Sequence, residues 1–178
     1  MSYTFLKAKG LRVGKSLVEE EMLDEAIFIL DKANESNTKI LLPTDVICSK
    51  SLDGIDSKTM KDIDCINDDD IGVDIGEKTI DFFSKAINAS DLVIWNGPMG
   101  IFEIPSFSNG TKEIAEKIAT HTENTSANSI IGGGDTASAI IDLNMQSEFT
   151  HVSTGGGASL ELLSGKKLQL IKSWEKYD

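Results

Sequence analysis

Leu92-Val93-Ile94-Trp95-Asn96-Gly97-Pro98-Met99-Gly100-Ile101-Phe102-Glu103, LVIWNGPMGIFE, is the stretch that decides the fold. It opens as a short apolar run without polar alternation, which reads as a strand buried on both faces of a parallel sheet. It then breaks into glycines and a proline, where no regular element continues. Two more segments repeat the arrangement: Ser129 to Ile131 runs into Gly132-Gly133-Gly134-Asp135-Thr136, and His151 to Ser153 runs into Thr154-Gly155-Gly156-Gly157-Ala158-Ser159. Helical patterns separate these strands. One covers about Glu77 to Ala89, one roughly Thr111 to Thr120, one about Thr136 to Leu143, and one starts near Ala158. Strand alternating with helix is the pattern of a parallel sheet with helices packed on its faces.

Upstream the same alternation is weaker. Ser16 to Ala33 has helical spacing in Leu17, Val18, Met22, Ala26, Ile29, Leu30 and Ala33. Ser16 and Glu19 form a candidate capping box at its start. Lys39 to Leu42 (KILL) reads as a short buried strand ended by Pro43, and Asp53 to Asp70 as an irregular, polar excursion. The expected fold class is α/β, a three-layer α/β/α Rossmann-like parallel sheet, in one domain of 178 residues.

Composition narrows the function. Lys and Arg total 17 against 29 Asp and Glu, a net charge of −12. That disfavours nucleic acid, whose binding draws on a basic face, and an anionic membrane surface. No apolar run reaches the ~20 residues of a spanning helix, and the N-terminus lacks an apolar core of signal-peptide length. Cys48 and Cys65 stand 17 positions apart with no Cys-x-x-Cys pair, and His121 and His151 are isolated. A zinc site of the usual Cys/His kind is excluded on that count, and free thiols point to a cytoplasmic location.

The glycines are the unusual feature. Of the 15, nine lie between Gly97 and Gly157, mostly in clusters at strand ends. In an open α/β sheet, ligands bind beyond the carboxyl ends of the strands. A glycine-rich turn opening a helix offers N–H groups and a partial positive charge to an anion. Three such clusters point to a phosphate-bearing ligand. Asp135 is placed to meet a metal, its bland alternative being an N-cap. Glu103 is placed to accept from ribose hydroxyls, its alternative being a solvated loop charge. Val13-Gly14-Lys15-Ser16 echoes a P-loop, but the upstream glycine is missing, since position 9 is Lys9. Gly132-x-Gly134-x-x-Ala137 matches the relaxed dinucleotide fingerprint and keeps a nicotinamide-binding reductase fragment open as a rival. A non-catalytic remnant is a further alternative.

Taken together, the segments resemble phosphoglycerate kinase: YTFLKA (Tyr3 to Ala8), VGKSLVE (Val13 to Glu19), LLPTDV (Leu41 to Val46), IGVDIG (Ile71 to Gly76), WNGPMGIFE (Trp95 to Glu103), GGGDTASA (Gly132 to Ala139) and HVSTGGGASLELLSGK (His151 to Lys166). They stand in the family's order and spacing. The resemblance implies phosphoryl transfer between 1,3-bisphosphoglycerate and ADP with Mg²⁺, and it implies that residues 1–178 are part of the C-terminal, nucleotide-binding domain. Gly72 and Val73 would border adenine, Asn96 and Pro98 would lie along the nucleotide, and Glu103 would bind ribose. Gly133, Gly134, Asp135 and Thr136 would contact the phosphates, with Asp135 at the metal. Gly155, Gly156 and Gly157 would offer amides to the phosphoryl group in flight. Glu77 stands where the family usually has proline. The resemblance begins in the middle of that domain. It leaves the N-terminal phosphoglycerate-binding domain and the first two strands of the C-terminal sheet outside the chain, and KILL without a neighbour toward LVIW. The implied partners are the nucleotide and the remaining part of the enzyme as a separate chain, with activity of this chain alone not expected.

Overall fold

The computed structural model describes residues 1–53, 58–153, 157, 161 and 164–165. The chain divides into two compact units, residues 1–85 with 99–114, and residues 86–98 with 115–178. It is an α/β structure with a parallel three-stranded sheet, as the sequence leads one to expect.

The parallel sheet lies in the second unit. β4 (Leu92–Asn96), β5 (Asn128–Gly132) and β6 (His151–Val152) pair in the order β4-β5-β6. Asn96 sits opposite Gly132, and Val152 opposite Ile131. All three strands therefore point the same way, and the segments that follow them leave from one edge. The central strand is the buried one: Ser129 and Ile131 are fully enclosed. The helix α4 (Asn109–Asn124) contributes Ala115, Ile118 and Ala119 to the apolar interior on helical spacing. The helix α5 (Gly134–Asp142) contributes Ala137, Ala139 and Ile140. β4 departs from expectation. Trp95 is buried, but Leu92 is 51% and Ile94 40% exposed: the two share one face of β4, which is left uncovered, and among the described residues β4 pairs on one side only. Its continuous apolar run does not signal burial on both faces.

The first unit holds a second sheet that was not foreseen. β1 (Asp45–Ser49) pairs antiparallel with β2 (Thr59–Asp62) on one side and β3 (Ile71–Ile75) on the other. Val46, Cys48 and Ile66 form its apolar centre, with Tyr3 and Ile63 packed against them. The Cys48 thiol is pushed up to about 11, chiefly by burial and then by the charge of Asp70. It is an inert core group. Thus part of the stretch read as an irregular excursion is a strand. KILL is not one: the strand begins at Asp45, after Pro43, where the pairing with β2 and β3 starts.

The first long helix also starts later than its periodicity suggests. A single turn at Glu20–Met22 leads into α2 (Leu23–Glu35). Ser16 caps nothing. Its Oγ accepts from the Gly72 N–H at 2.9 Å, while the Lys15 N–H donates to the Asp70 carbonyl and the Glu19 N–H to Thr4 Oγ1. These tertiary bonds hold residues 15–19 out of a helix. The helix α1 (Ser2–Ala8) buries Thr4 and Leu6.

The helix α3 (Glu77–Asn88) begins at Glu77 without a proline. Its first turn is held by Asp45, whose carboxylate accepts from the Lys78 N–H (3.1 Å), the Thr79 N–H (2.7 Å) and the Thr79 hydroxyl (2.6 Å). Thr79 Oγ1 in turn accepts from the Thr44 and Asp45 N–H groups, both at 3.0 Å. Thr79 and Asp45 are both fully buried. Thr79→Ala strands the buried Asp45 amide and removes the partner of the part-buried Thr44 amide, and about 2 kcal/mol of stability is lost. Urea unfolding should show that loss for Thr79→Ala and under 1 kcal/mol for Thr79→Ser, which keeps the hydroxyl. Among the described residues, no helix is long and apolar enough to cross a membrane.

Candidate functional site

Two groups of the candidate residues are assembled, one in each unit. In the second unit, the ends of β4 and β5 meet. Gly133, at φ +85° and ψ 144°, is the residue from which α5 starts. A Cβ there would come within 2.5 Å of Asn96 Oδ1, so the Asn96 side chain lies over position 133 as it stands only with glycine there. Gly97, at φ +97°, donates its N–H to Thr136 Oγ1 at 2.7 Å, and Trp95 Nε1–H donates to the Gly97 carbonyl. The turn that leaves β4 is thereby bonded to the first turn of α5. Thr136 is fully buried, so its oxygen serves this bond. Gly134 and Asp135 form the exposed first turn of α5, and a Cβ at Gly134 would meet nothing within 4 Å. Pro98 is half-buried. The helix start leaves its first N–H groups without intrahelical partners, and the open space over Gly134 gives an anion access to them.

Asp135 is not the N-cap, since Gly133 takes that position. Its carboxylate is exposed. Among the described residues no group of three or more His, Cys, Asp and Glu side chains could hold a metal ion. One carboxylate, with nucleotide phosphates and waters supplying the other oxygens, is an ordinary way to hold Mg²⁺. The donor set at Asp135 fits that arrangement.

In the first unit, Gly72 and Val73 lie on β3. Val73 is buried, and Gly72 is covered by the Tyr3 ring, whose hydroxyl occupies the place a Cβ would take. Burial raises the Tyr3 hydroxyl well above its ordinary pKa, with Cys48 and Asp74 adding to the effect. The segment after Met99 is tied to β3: the Ile101 N–H donates to the Val73 carbonyl at 2.9 Å. Glu103 stands exposed two residues further on, in the same segment as the buried Phe107. Gly72, Val73 and Glu103 thus belong to one locally bonded structure, while Asn96, Gly133, Gly134, Asp135 and Thr136 belong to another. Gly155 and Gly156 lie outside the described residues, and Gly157 is an exposed helical residue.

The sequence reading missed the residues that hold the Glu103 segment, Asp74 and Thr111. The Thr111 hydroxyl accepts from the Met99 and Gly100 N–H groups at 3.0 and 3.3 Å. An acid in the otherwise apolar run of β3 was the available signal.

Comparison with known proteins gives one consistent result. The family model described as phosphoglycerate kinase matches residues 1–166. A phosphoglycerate kinase of Dictyoglomus turgidum is 54% identical over 168 residues, 94% of this chain and 42% of that protein. One from Thermosipho africanus is 48% identical over 174 residues, 97% of this chain and 43% of that protein. The solved phosphoglycerate kinase from Coxiella burnetii superposes with a TM-score of 0.87 at 41% identity, covering 93% of this chain and 42% of that one. The chain therefore spans less than half the length of the relatives it matches.

Proposed function

Because the chain belongs to the phosphoglycerate kinase family, we propose that it supplies most of the Mg-ADP/ATP side of that enzyme's site. The observation that carries the reading is the lock of Asn96-Gly97 onto Gly133 and Thr136. It leaves the first turn of α5 open to an anion. In this reading residues 1–178 are part of the C-terminal nucleotide-binding domain. Gly133, Gly134 and Thr136 lie at the phosphates, Asn96 and Pro98 along the nucleotide, Gly72 and Val73 at adenine, and Glu103 at ribose.

The reaction moves a phosphoryl group from 1,3-bisphosphoglycerate to ADP. A β-phosphate oxygen of ADP attacks the acyl phosphorus, the bond from phosphorus to the acyl oxygen breaks, and 3-phosphoglycerate leaves as the carboxylate. Such a transfer needs positioning and charge stabilisation more than covalent help. The amides of Gly155, Gly156 and Gly157 would donate to the transferring oxygens. The bound Mg²⁺ would neutralise phosphate charge, and Asp135 would orient it. The phosphoglycerate side lies outside residues 1–178, so these residues by themselves are expected not to turn over. A coupled assay with ADP and 1,3-bisphosphoglycerate tests this. No turnover by the purified chain, and turnover on adding a fragment that carries the rest of a family member, is the expected pattern. Turnover by the chain alone contradicts the division of labour.

Asp135→Ala separates a metal role from a merely local one. Calorimetry should show Mg-ADP binding weakened about tenfold, as about 1.4 kcal/mol would give, with metal-free ADP little changed. Equal losses for both would remove Asp135 from the metal.

A further inference from the structure

The only acid on β3 directly follows Val73, one of the proposed adenine residues, and nothing in the phosphoryl-transfer reading uses it. Asp74 is 3% exposed. Its Oδ1 accepts from the Ile75 N–H at 2.9 Å, and its Oδ2 accepts from the Gly110 N–H, in the first turn of α4, at 2.7 Å. The segment between β4 and α4 packs against the same carboxylate at two points. A Cβ on Gly100 would lie 2.4 Å from Asp74 Oδ1 and one on Gly110 2.3 Å from it. Both approaches exist only because neither residue has a side chain. Phe107 closes the contact, its carbonyl lying 2.5 Å from the same Gly100 position. The segment is therefore bonded to this buried carboxylate at Gly110 and packed against it at Gly100, whose own N–H goes to Thr111 Oγ1, with Ile101 N–H on Val73 O between them. Glu103 is carried inside that span.

We infer that Asp74 is a positioning residue for the nucleotide: through Gly100 and Gly110 it fixes the segment that presents Glu103 beside Gly72 and Val73. The inference rests on the proposed nucleotide site and adds to it a specific determinant of ribose recognition. An isolated buried carboxylate is costly, and a structural role alone would be served by an apolar residue of similar volume. Here one oxygen is held by the neighbouring Ile75 N–H of the same strand, which orients the carboxylate, and the other reaches the Gly110 N–H 36 positions away, which ties the start of α4 to β3.

The clamp also has a protonation state. Burial pushes the Asp74 carboxyl up to about 6, against the opposing pull of the Gly110 and Ile75 N–H groups and the Lys58 charge. The groups that face it are the Tyr3 hydroxyl from α1, Lys58 from the residues before β2, and Glu77 from the start of α3. β1 presents Ile47 opposite it, and α4 the Gly110 amide. A cavity of about 300 Å³, lined by Ile47, Lys58, Met60, Asp74 and Glu77, gives the carboxyl a route to solvent protons. The ionised form is the stronger acceptor, so the segment is held more firmly as the pH rises through about 6. The stability sign is opposite. A carboxyl whose folded pKa lies above its ordinary 3.8 makes the folded state less stable as the pH rises from about 4 to about 6. As the pH rises through about 6, local order at Gly110 therefore increases while global stability falls.

The test compares the unmodified chain with Asp74→Asn and Asp74→Ala. Binding of Mg-ADP and of Mg-2′-deoxy-ADP is followed by calorimetry, and protection of the Gly110 and Ile101 amides by hydrogen exchange from pH 5 to 7.5. The unmodified chain should prefer ADP. Both variants should bind ADP at least fivefold more weakly and lose most of the preference over the deoxy form. Protection at Gly110 should rise through about pH 6 in the unmodified chain and be low and flat in Asp74→Asn. A variant that keeps the full ADP preference and Gly110 protection overturns the clamp. If the unmodified chain binds neither nucleotide, the proposed function fails, and the exchange arm still decides the clamp. Lost Gly110 and Ile101 protection in Asp74→Asn, with unchanged far-ultraviolet circular dichroism, supports it; unchanged protection rejects it.

Discussion

Gly133→Ala is expected to weaken Mg-ADP binding more than tenfold and to lower stability by about 2 kcal/mol, because alanine does not tolerate this backbone. At φ +85° and ψ 144° only glycine is comfortable. The new Cβ would also sit 2.5 Å from Asn96 Oδ1. Asn96 is exposed and its amide can swing away, so the steric part is cheap in stability. Moving it nevertheless displaces a residue proposed to lie along the nucleotide. The backbone strain remains whatever Asn96 does. Gly134→Ala is the informative control. Its Cβ meets nothing within 4 Å, and it lies in the first turn of α5, where alanine is the better helix former. That variant should be as stable as the unmodified chain and still bind Mg-ADP more weakly, since the methyl fills the space over the amides. Thermal unfolding with calorimetry on both variants separates the fold requirement at 133 from the access requirement at 134. Full Mg-ADP affinity in both would remove this turn from the phosphate site.

Asp70→Ala should cost about 3 kcal/mol at pH 7, since it leaves a partly buried ammonium unpaired. Asp70 is 2% exposed and accepts from Lys50 (2.7 Å), from Lys61 and from the Asn67 N–H (2.7 Å). Lys50 keeps a second partner in Asp69, but Lys61 forms no other ion pair among the described residues. Burial opposes ionisation of Asp70, and the two ammoniums with the Asn67 N–H outweigh it, holding the carboxyl down at about 2. The sign follows from linkage. A carboxyl depressed below its ordinary 3.8 contributes stability that is present above about pH 4 and is lost as the pH falls toward about 2. Urea midpoints measured from pH 7 to pH 2 should therefore fall less steeply below pH 4 in Asp70→Ala. A loss under 1 kcal/mol at pH 7, with an unchanged acid limb, would mean the cluster adds nothing beyond exposed ion pairs.

The second unit was legible in the sequence because each of its strands is an apolar run ending in glycine, and its pairing is parallel and sequential. LVIW, SII and HV all became strands, running parallel so that the glycine-bearing ends of β4 and β5 share one edge. What misled was the inference from apolar composition to burial, since Leu92 and Ile94 share one face of β4 that is left uncovered. The first unit was harder. β2, Thr59-Met60-Lys61-Asp62, has no apolar face to announce it; its side chains are mostly exposed and the ladder to β1 defines it. KILL has the composition of a buried strand but forms no ladder among the described residues. Ser16 has the chemistry of a helix cap and spends it on Gly72 instead. Local propensity gives way wherever a long-range bond competes for the same group. The candidate site followed the same rule. Gly133, Gly134 and Asp135 were found from their pattern, whereas Asp74 and Thr111 act through partners at least eleven positions away and left only a misplaced polar residue as a trace.

Calorimetric titration of the purified chain with ADP in the presence and absence of Mg²⁺, beside a titration with NADPH, bears most directly on the proposed nucleotide site. Saturable ADP binding strengthened by Mg²⁺, with no response to NADPH, is the result the kinase-derived site requires. Tight NADPH binding with no ADP response would contradict it and return the Gly132-x-Gly134-x-x-Ala137 segment to a dinucleotide.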